Sequence, residues 1–189
     1  MSELNPIYRS WLFVPGHKER MIIKSFILQA DALIYDLEDA VPIAEKQSAR
    51  DMLTSMLSSL PNPGAPARYI RLNHPSNDVL FKADLHCAMN VHPEGVVIPK
   101  VESADELRHV ETMIKSAEAE AGIDYPTRIM FLIESPKGLL NAESIAVASD
   151  RSVGMSFGAE DFAREMGLPL VKTKEAKEQL YARSRIAIA

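Results

Sequence analysis

Acidic side chains recur at one kind of place in this chain, the ends of short apolar runs. The segment YDLEDAV (Tyr35–Val41) gathers Asp36, Glu38 and Asp39, while LIES delivers Glu134 and SFGAED delivers Asp161. Carboxylates repel one another, so gathering them costs free energy unless a cation or a proton relieves the charge. Basic residues reach equivalent positions, Arg71 in RLNHP and Lys100 in IPK. Carboxylates from separate segments that meet on one face form an oxygen-rich site suited to Mg²⁺ or Mn²⁺. Magnesium takes one or two protein carboxylates and leaves its other positions to water and substrate. On this reading Glu134 and Asp161 are direct ligands. Glu38 and Asp39 act through water or by orienting Lys100 and Arg71.

Each residue also has a plainer reading. Glu134 could cap a following helix, Asp161 could be an early-helix acid favoured by the helix dipole, and Asp39 could be a surface turn residue. Asp36 is expected to point into the sheet wall or a neighbouring helix, and Arg71 and Lys100 could be structural ion-pair partners. Such coincidences at successive strand ends are less economical than one shared site. His17, His74, His86, His92 and His109 lack partners at metal-ligand spacing, although His17 and His74 fall on the same face. Cys87 reads as a buried helix residue.

The elements that must position these groups are legible as alternating patterns. Short apolar runs occur at Arg9–Val14, Ala32–Leu37, Arg68–Asn73, Gly95–Lys100, Arg128–Glu134 and Val153–Gly158. Most are near-continuously apolar, as strands covered on both faces are. Helical spacing appears in Glu19–Gln29, Ala44–Leu60 and Ser103–Ala121, the last opening with the capping-box pattern SADE. PNPGAPA (Pro61–Ala67) reads as a turn-rich connector within one domain, residues 1–189. Strand followed by helix, repeated, implies a parallel sheet, either doubly wound or a (β/α)8 barrel. VPGHKER after the first run is not the G-x-G-x-x-G of a dinucleotide fold. The repeat is close to the ~31 residues per unit of a ~250-residue barrel. The expectation is therefore a (β/α)8 TIM barrel with about six β/α units present and the last two missing, the pattern stopping inside the helical segment Lys174–Ala189.

Composition narrows the function classes. With 189 residues, 47% hydrophobic, the chain can bury a substantial core, and a formal charge of -5 provides no footprint for nucleic acid or anionic membrane. No apolar run approaches the ~20 residues of a membrane span. MSELNPIYRS lacks a signal-peptide pattern, and a single cysteine suits a reducing cytoplasm. A cytoplasmic protein is expected.

In RSWLFVPG, ADALIYDLEDAV, YIRLN, GVVIPKVES, FLIESPKGLLN and SFGAEDFAREMG, in that order, the sequence resembles the citrate lyase beta-subunit family of the HpcH/HpaI aldolase superfamily, the CoA-ester lyases. The resemblance implies a (β/α)8 barrel that makes or breaks a carbon–carbon bond next to a malyl-, citramalyl- or citryl-type thioester. It implies Mg²⁺ on Glu134 and Asp161, substrate contact by Arg71, and Glu38 and Asp39 near the metal's waters. Lys18 and Arg20 fall where CoA phosphates are held, and a homo-oligomer, trimer or hexamer, is implied. The family's last units contribute to closure and to the neighbouring subunit's site, and in several members carry the acid–base carboxylate.

The residues fit that chemistry on their own terms. Cleaving a 3-hydroxyacyl thioester into a keto acid and acetyl-CoA requires loss of a hydroxyl proton and a stabilised enolate. A divalent metal acidifies the hydroxyl, and a permanently charged guanidinium such as Arg71 offsets enolate charge. Lys100 and Glu134 would also meet the substrate. A Schiff-base aldolase needs a lysine of depressed pKa, whereas the carboxylates around Lys100 would raise it. Alternatives are a CoA-independent metal aldolase on keto acids, an acyl-carrier-protein-linked citrate lyase beta subunit, or a non-catalytic CoA-ester or partner-binding member.

Overall fold

The computed structural model describes residues 7–58, 66–168 and 176–189. Six parallel strands form one sheet in sequential order: β1 (Trp11–Pro15), β2 (Ala32–Asp36), β3 (Ala67–Arg71), β4 (Gly95–Ile98), β5 (Arg128–Ile133) and β6 (Ser152–Phe157). The expected strands are all present, with ends shifted by one or two residues. Helices alternate with them: α1 (Glu19–Ser25), α2 (Lys46–Leu57), α3 (Asp78–Val91), α4 (Ala104–Ala121), α5 (Pro136–Leu140), α6 (Ala142–Ala146), α7 (Ala159–Glu165) and α8 (Leu180–Ile188). Among the described residues, β1 and β6 are the sheet's edges. No helix there is long and apolar enough to cross a membrane.

Strand side chains alternate between two cores. Leu33, Tyr35, Ile70, Val96, Ile98, Ile129, Phe131 and Ile133 join the larger core with the helices. Ala32, Ile34, Ala67, Tyr69, Val97, Met130 and Leu132 form a smaller cluster on the opposite face, with Tyr8, Trp11 and Val153 packed against it. Both faces are thus covered, which explains the near-continuous apolarity of the runs. The Trp11 and Tyr69 rings meet edge-on, centroids 4.8 Å apart. A Cβ at Gly95 would lie 2.3 Å from the Tyr69 ring and 2.6 Å from the Arg128 carbonyl, so only glycine admits that ring.

The helices depart from expectation at their ends. α1 stops at Ser25 rather than Gln29, and the Ala44–Leu60 pattern becomes a 3₁₀ turn, Ile43–Glu45, followed by α2. Residues 59–65, which hold most of the Pro61–Ala67 connector and the end of that pattern, lie outside the described residues, as does the start of the Lys174–Ala189 segment. At α4 the Ser103 hydroxyl caps Glu106 N at 3.2 Å, but Glu106 reaches Glu102 N at 2.8 Å instead of Ser103 N. The capping box is displaced by one residue on its return arm.

Candidate functional site

Strand periodicity carries three of the charged residues to one face. Asp36 continues Ala32 and Ile34, Arg71 continues Ala67 and Tyr69, and Glu134 continues Met130 and Leu132. Asp36 and Arg71 are register partners on adjacent strands. Their side chains pair as a fork, Arg71 Nε donating to Asp36 Oδ1 at 2.8 Å and Nη2 to Oδ2 at 2.5 Å. Asp36 also accepts from Glu38 N at 2.7 Å and Ala40 N at 3.2 Å. Asp36 therefore does not point into the sheet wall or a helix, as expected, but ties β3 to the loop after β2. The Arg71 guanidinium lies 5.0 Å from the Phe13 ring centroid. Burial opposes its charge, but Asp36, then Glu38 and Asp39, more than compensate and raise its pKa.

Lys100 is the second hub. Its Nζ sits 2.7 Å from Glu38 Oε1, 3.6 Å from Asp39 and 3.5 Å from Asp161. Burial opposes its charge too, and the Glu38 hydrogen bond with the nearby carboxylates outweighs that, so its pKa is raised. Such an amine is a poor nucleophile. The backbone here is left-handed, φ 53°, unusual for a residue with a Cβ. That turn aims Lys100 N at Glu134 Oε2, 3.1 Å away. Glu134 is only 6% exposed. Burial, followed by the Glu38 and Asp161 charges, pushes its pKa up to about 7 despite Lys100 and Arg71. The helix cap here is Ser135, which accepts from Gly138 N, so Glu134 is spared that task.

Asp161 lies in the first turn of α7. The run before it, Val153–Gly158, ends in a glycine that stands against Glu134. A Cβ there would lie 2.2 Å from Glu134 Oε1 and 2.4 Å from its Cγ, so the glycine makes room for the Glu134 side chain. Arg164 holds Asp161 Oδ1 at 2.5 Å.

Phe13, Asp39, Arg71, Glu134, Gly158 and Asp161 line a single cleft of about 700 Å³. Glu38 borders it from within, buried between Lys100 and Arg71 Nη1, the latter 3.0 Å from Oε2. That Oε2 atom is met by the Arg71 charge without a well-aligned hydrogen bond. Lys18 and Arg20 are exposed at the start of α1, beyond the C-terminal end of β1 and outside the cleft lining. His74 turns away to Glu106, 2.7 Å off. Among the described residues no three His, Cys, Asp or Glu side chains converge as a ready metal cage. Glu134 and Asp161 instead form a two-carboxylate oxygen set, which fits a hard cation that keeps most of its water.

Sequence reading missed the residues behind this site. Lys46, Ala49, Arg50, Leu53 and Leu57 share the buried face of α2. Two basic residues on an apolar helical stripe were a visible signal. Asp84, wholly buried on α3, gave no comparable one.

The comparisons with known proteins agree with the geometry. The profile of the HpcH/HpaI aldolase/citrate lyase family matches residues 9–189. Citrate lyase subunit beta of Leuconostoc mesenteroides subsp. cremoris is 35% identical over 179 residues, which cover 94% of this chain and 58% of that protein. (3S)-Malyl-CoA thioesterase of Cereibacter sphaeroides is 36% identical over 160 residues, 85% of this chain and 52% of that one. The chain thus spans a little over half the length of these relatives. The CitE protein of Mycobacterium tuberculosis, solved with magnesium, acetoacetate and coenzyme A, has a TM-score of 0.75 at 26% identity, covering 98% of this chain and 62% of that one. Its complex with magnesium and pyruvate gives 0.74 at 26% identity, with 98% and 70% covered. The match spans β1 to α8, the stretch that contains the cleft, and this chain belongs to the HpcH/HpaI aldolase/citrate lyase family.

Proposed function

We propose that this chain carries the metal- and substrate-binding part of a Mg²⁺-dependent lyase, which splits a 3-hydroxyacyl-CoA thioester into a keto acid and acetyl-CoA. The observation that carries this reading is the cleft where Glu134 and Asp161 stand beside a largely buried Arg71–Asp36–Glu38 cluster joined by the half-exposed Lys100. Family membership and the magnesium, keto-acid and coenzyme A complexes of the M. tuberculosis protein support it. In the whole protein the parallel sheet is the first six units of an eight-unit barrel, two further units joining its edges. That protein acts in the cytoplasm as a homo-oligomer, a trimer or hexamer.

Glu134 and Asp161 hold the ion, with Mn²⁺ as a substitute. Bound Mg²⁺ supplies Lewis-acid polarisation of the substrate's carboxylate and hydroxyl oxygens. Asp39, 58% exposed in its side chain and lining the cleft, takes the hydroxyl proton. Glu38 is buried with its oxygens already engaged by Lys100 and Arg71, so it is less accessible to the substrate hydroxyl. As the carbon–carbon bond breaks, its electron pair passes to the thioester enolate, whose oxygen meets the Arg71 charge. A proton returned to carbon gives acetyl-CoA. Lys100 orients Glu38 and Asp39 and adds positive charge near the substrate carboxylate. Lys18 and Arg20 bind CoA phosphates from the rim.

A second reading has a specific observation in its favour, the 35% identity to a citrate lyase beta subunit. There the thioester is borne by a carrier protein instead of free CoA. Calorimetry with malyl-CoA and with free CoA in the presence of Mg²⁺ tests the main reading. Binding of both supports it, and binding of neither favours the carrier-linked subunit.

Two further results follow from the geometry around Glu134. Its carboxyl is protonated below about pH 7, and metal binding needs the carboxylate. Mg²⁺ affinity therefore falls as pH drops, by up to about tenfold per pH unit below that point. Titration calorimetry at pH 5.5 to 8 reads this directly, and a flat profile removes Glu134 from the ligand set. Gly158→Ala forces the Glu134 side chain out of place. It lowers Mg²⁺ affinity about 10- to 100-fold, and denaturant unfolding of the variant checks that the fold survives.

A further inference from the structure

The loop after β2 is held from behind by a polar network that takes no part in the cleft. Lys46 is 6% exposed. Its Nζ donates to Leu37 O at 2.6 Å and to Glu38 O at 2.7 Å. Asn73 Nδ2 adds a second bond to Leu37 O at 2.9 Å, and Val41 N a second to Glu38 O at 3.0 Å. Each carbonyl thus accepts two hydrogen bonds, its full lone-pair capacity. Asn73 is fixed in turn by Asp84, which accepts from Asn73 N and Nδ2 and pairs with Arg50 at 2.8 Å.

On the other side of the same loop, Asp36 accepts from Glu38 N and Ala40 N. The peptide groups around Glu38 are therefore pinned through their N–H bonds by Asp36 and through their carbonyls by Lys46. With the backbone fixed, the Glu38 carboxylate has one place to go, between Lys100 Nζ and Arg71 Nη1.

Lys46 is an expensive choice for a purely structural role. Among the described residues it makes no ion pair with a carboxylate, and burial lowers its pKa despite Asp84, Asp36, Glu38 and Asp39 nearby. An apolar residue at the same place on the α2 stripe would be buried without that cost. What an apolar residue cannot do is hold two successive carbonyls.

We infer that Lys46 is a positioning residue for the site: its ammonium fixes the Leu37–Glu38 backbone, and so sets where the Glu38 carboxylate meets Lys100 and Arg71. The inference deepens the lyase reading by naming what regulates the geometry of its acidic loop. It also has a readout independent of any lyase activity.

The test uses Lys46→Met and Lys46→Gln in the whole protein. Amide hydrogen exchange is the first measurement. In Lys46→Met, Glu38 N–H and Ala40 N–H exchange about tenfold faster or more, while amides of β3 and β4 keep their rates. Turnover of a malyl-type CoA thioester falls about 10- to 100-fold in kcat, as loss of an outer-shell partner does, with KM within about threefold. Lys46→Gln, which keeps a donor but no charge, recovers part of both. A merely structural Lys46 predicts a different pattern, exchange accelerated across the whole sheet and kcat of the folded enzyme unchanged. Either of those results overturns the inference. If Lys46→Met does not fold, Lys46→Gln decides alone, and wild-type exchange at Glu38 and Ala40 with wild-type kcat overturns it. Altered local exchange in a protein without lyase activity upholds the positioning role and rejects the reaction assignment.

Discussion

Glu134→Gln and Asp161→Asn each weaken Mg²⁺ binding by more than about 100-fold, beyond the upper end of what losing an outer-shell partner costs a metal site, and abolish lyase turnover in the whole protein. The two substitutions are close in shape to the residues they replace, so packing is nearly preserved. Glu134→Gln removes a buried carboxyl that already resists ionisation, its pKa near 7. The variant is expected to be at least as stable as the parent in the absence of metal, because a buried charge with unfavourable acidic neighbours is gone. Asp161→Asn frees Arg164 and Lys100 from part of their pairing at a half-buried helix start. Its stability loss is small, since Arg164 is mostly exposed and such pairs contribute within about 1 kcal/mol. Calorimetry with Mg²⁺ and urea unfolding on both variants separate ligation from folding. Unchanged Mg²⁺ affinity in both rejects them as ligands.

Much of the scaffold was legible because buried parallel strands advertise themselves. Ala32–Leu37 and Arg128–Glu134 are apolar on both faces, and period-two counting along β2, β3 and β5 places Asp36, Arg71 and Glu134 on the same side. The short helices were not legible. α5 and α6 are five residues each, too brief to show helical periodicity, and α5 opens on a proline and contains a glycine. Gly158 just before Asp161 reads as a break in the sequence, whereas it is the N-cap of α7. The site's wiring depended on contacts distant in sequence. Lys100 meets Glu38 across 62 positions, through a left-handed turn that no local signal announces. The placement of Asp36 depends on the same kind of contact. Its partner Arg71 becomes its neighbour only once strand register is fixed.

Arg71 joins structure to chemistry, and Arg71→Lys separates the two. Arginine has five N–H donors. Nε and one Nη2 hydrogen are taken by Asp36, and Nη1 lies toward Glu38, so the remaining donors are what the cleft can use. A lysine keeps the charge but cannot reproduce two parallel bonds to Asp36 while also serving a substrate oxygen. Losing that fork leaves a buried carboxylate under-satisfied, a loss of about 1.5–3 kcal/mol for charge-assisted bonds, read as a lower urea midpoint. Activity falls further than stability explains. If a guanidinium N–H meets the enolate oxygen, kcat drops about 10²- to 10³-fold, the range for one lost oxyanion donor, with KM little changed. Asp36→Asn is the matched control. It weakens the same fork and the same loop caps yet leaves the guanidinium charge in the cleft, so its kcat loss is the smaller of the two. An Arg71→Lys effect confined to KM assigns Arg71 to ground-state binding. Equal kcat losses in both variants assign it to holding the β2 loop alone, and the enolate then needs another cation, for which Lys100 is the nearest candidate in this cluster.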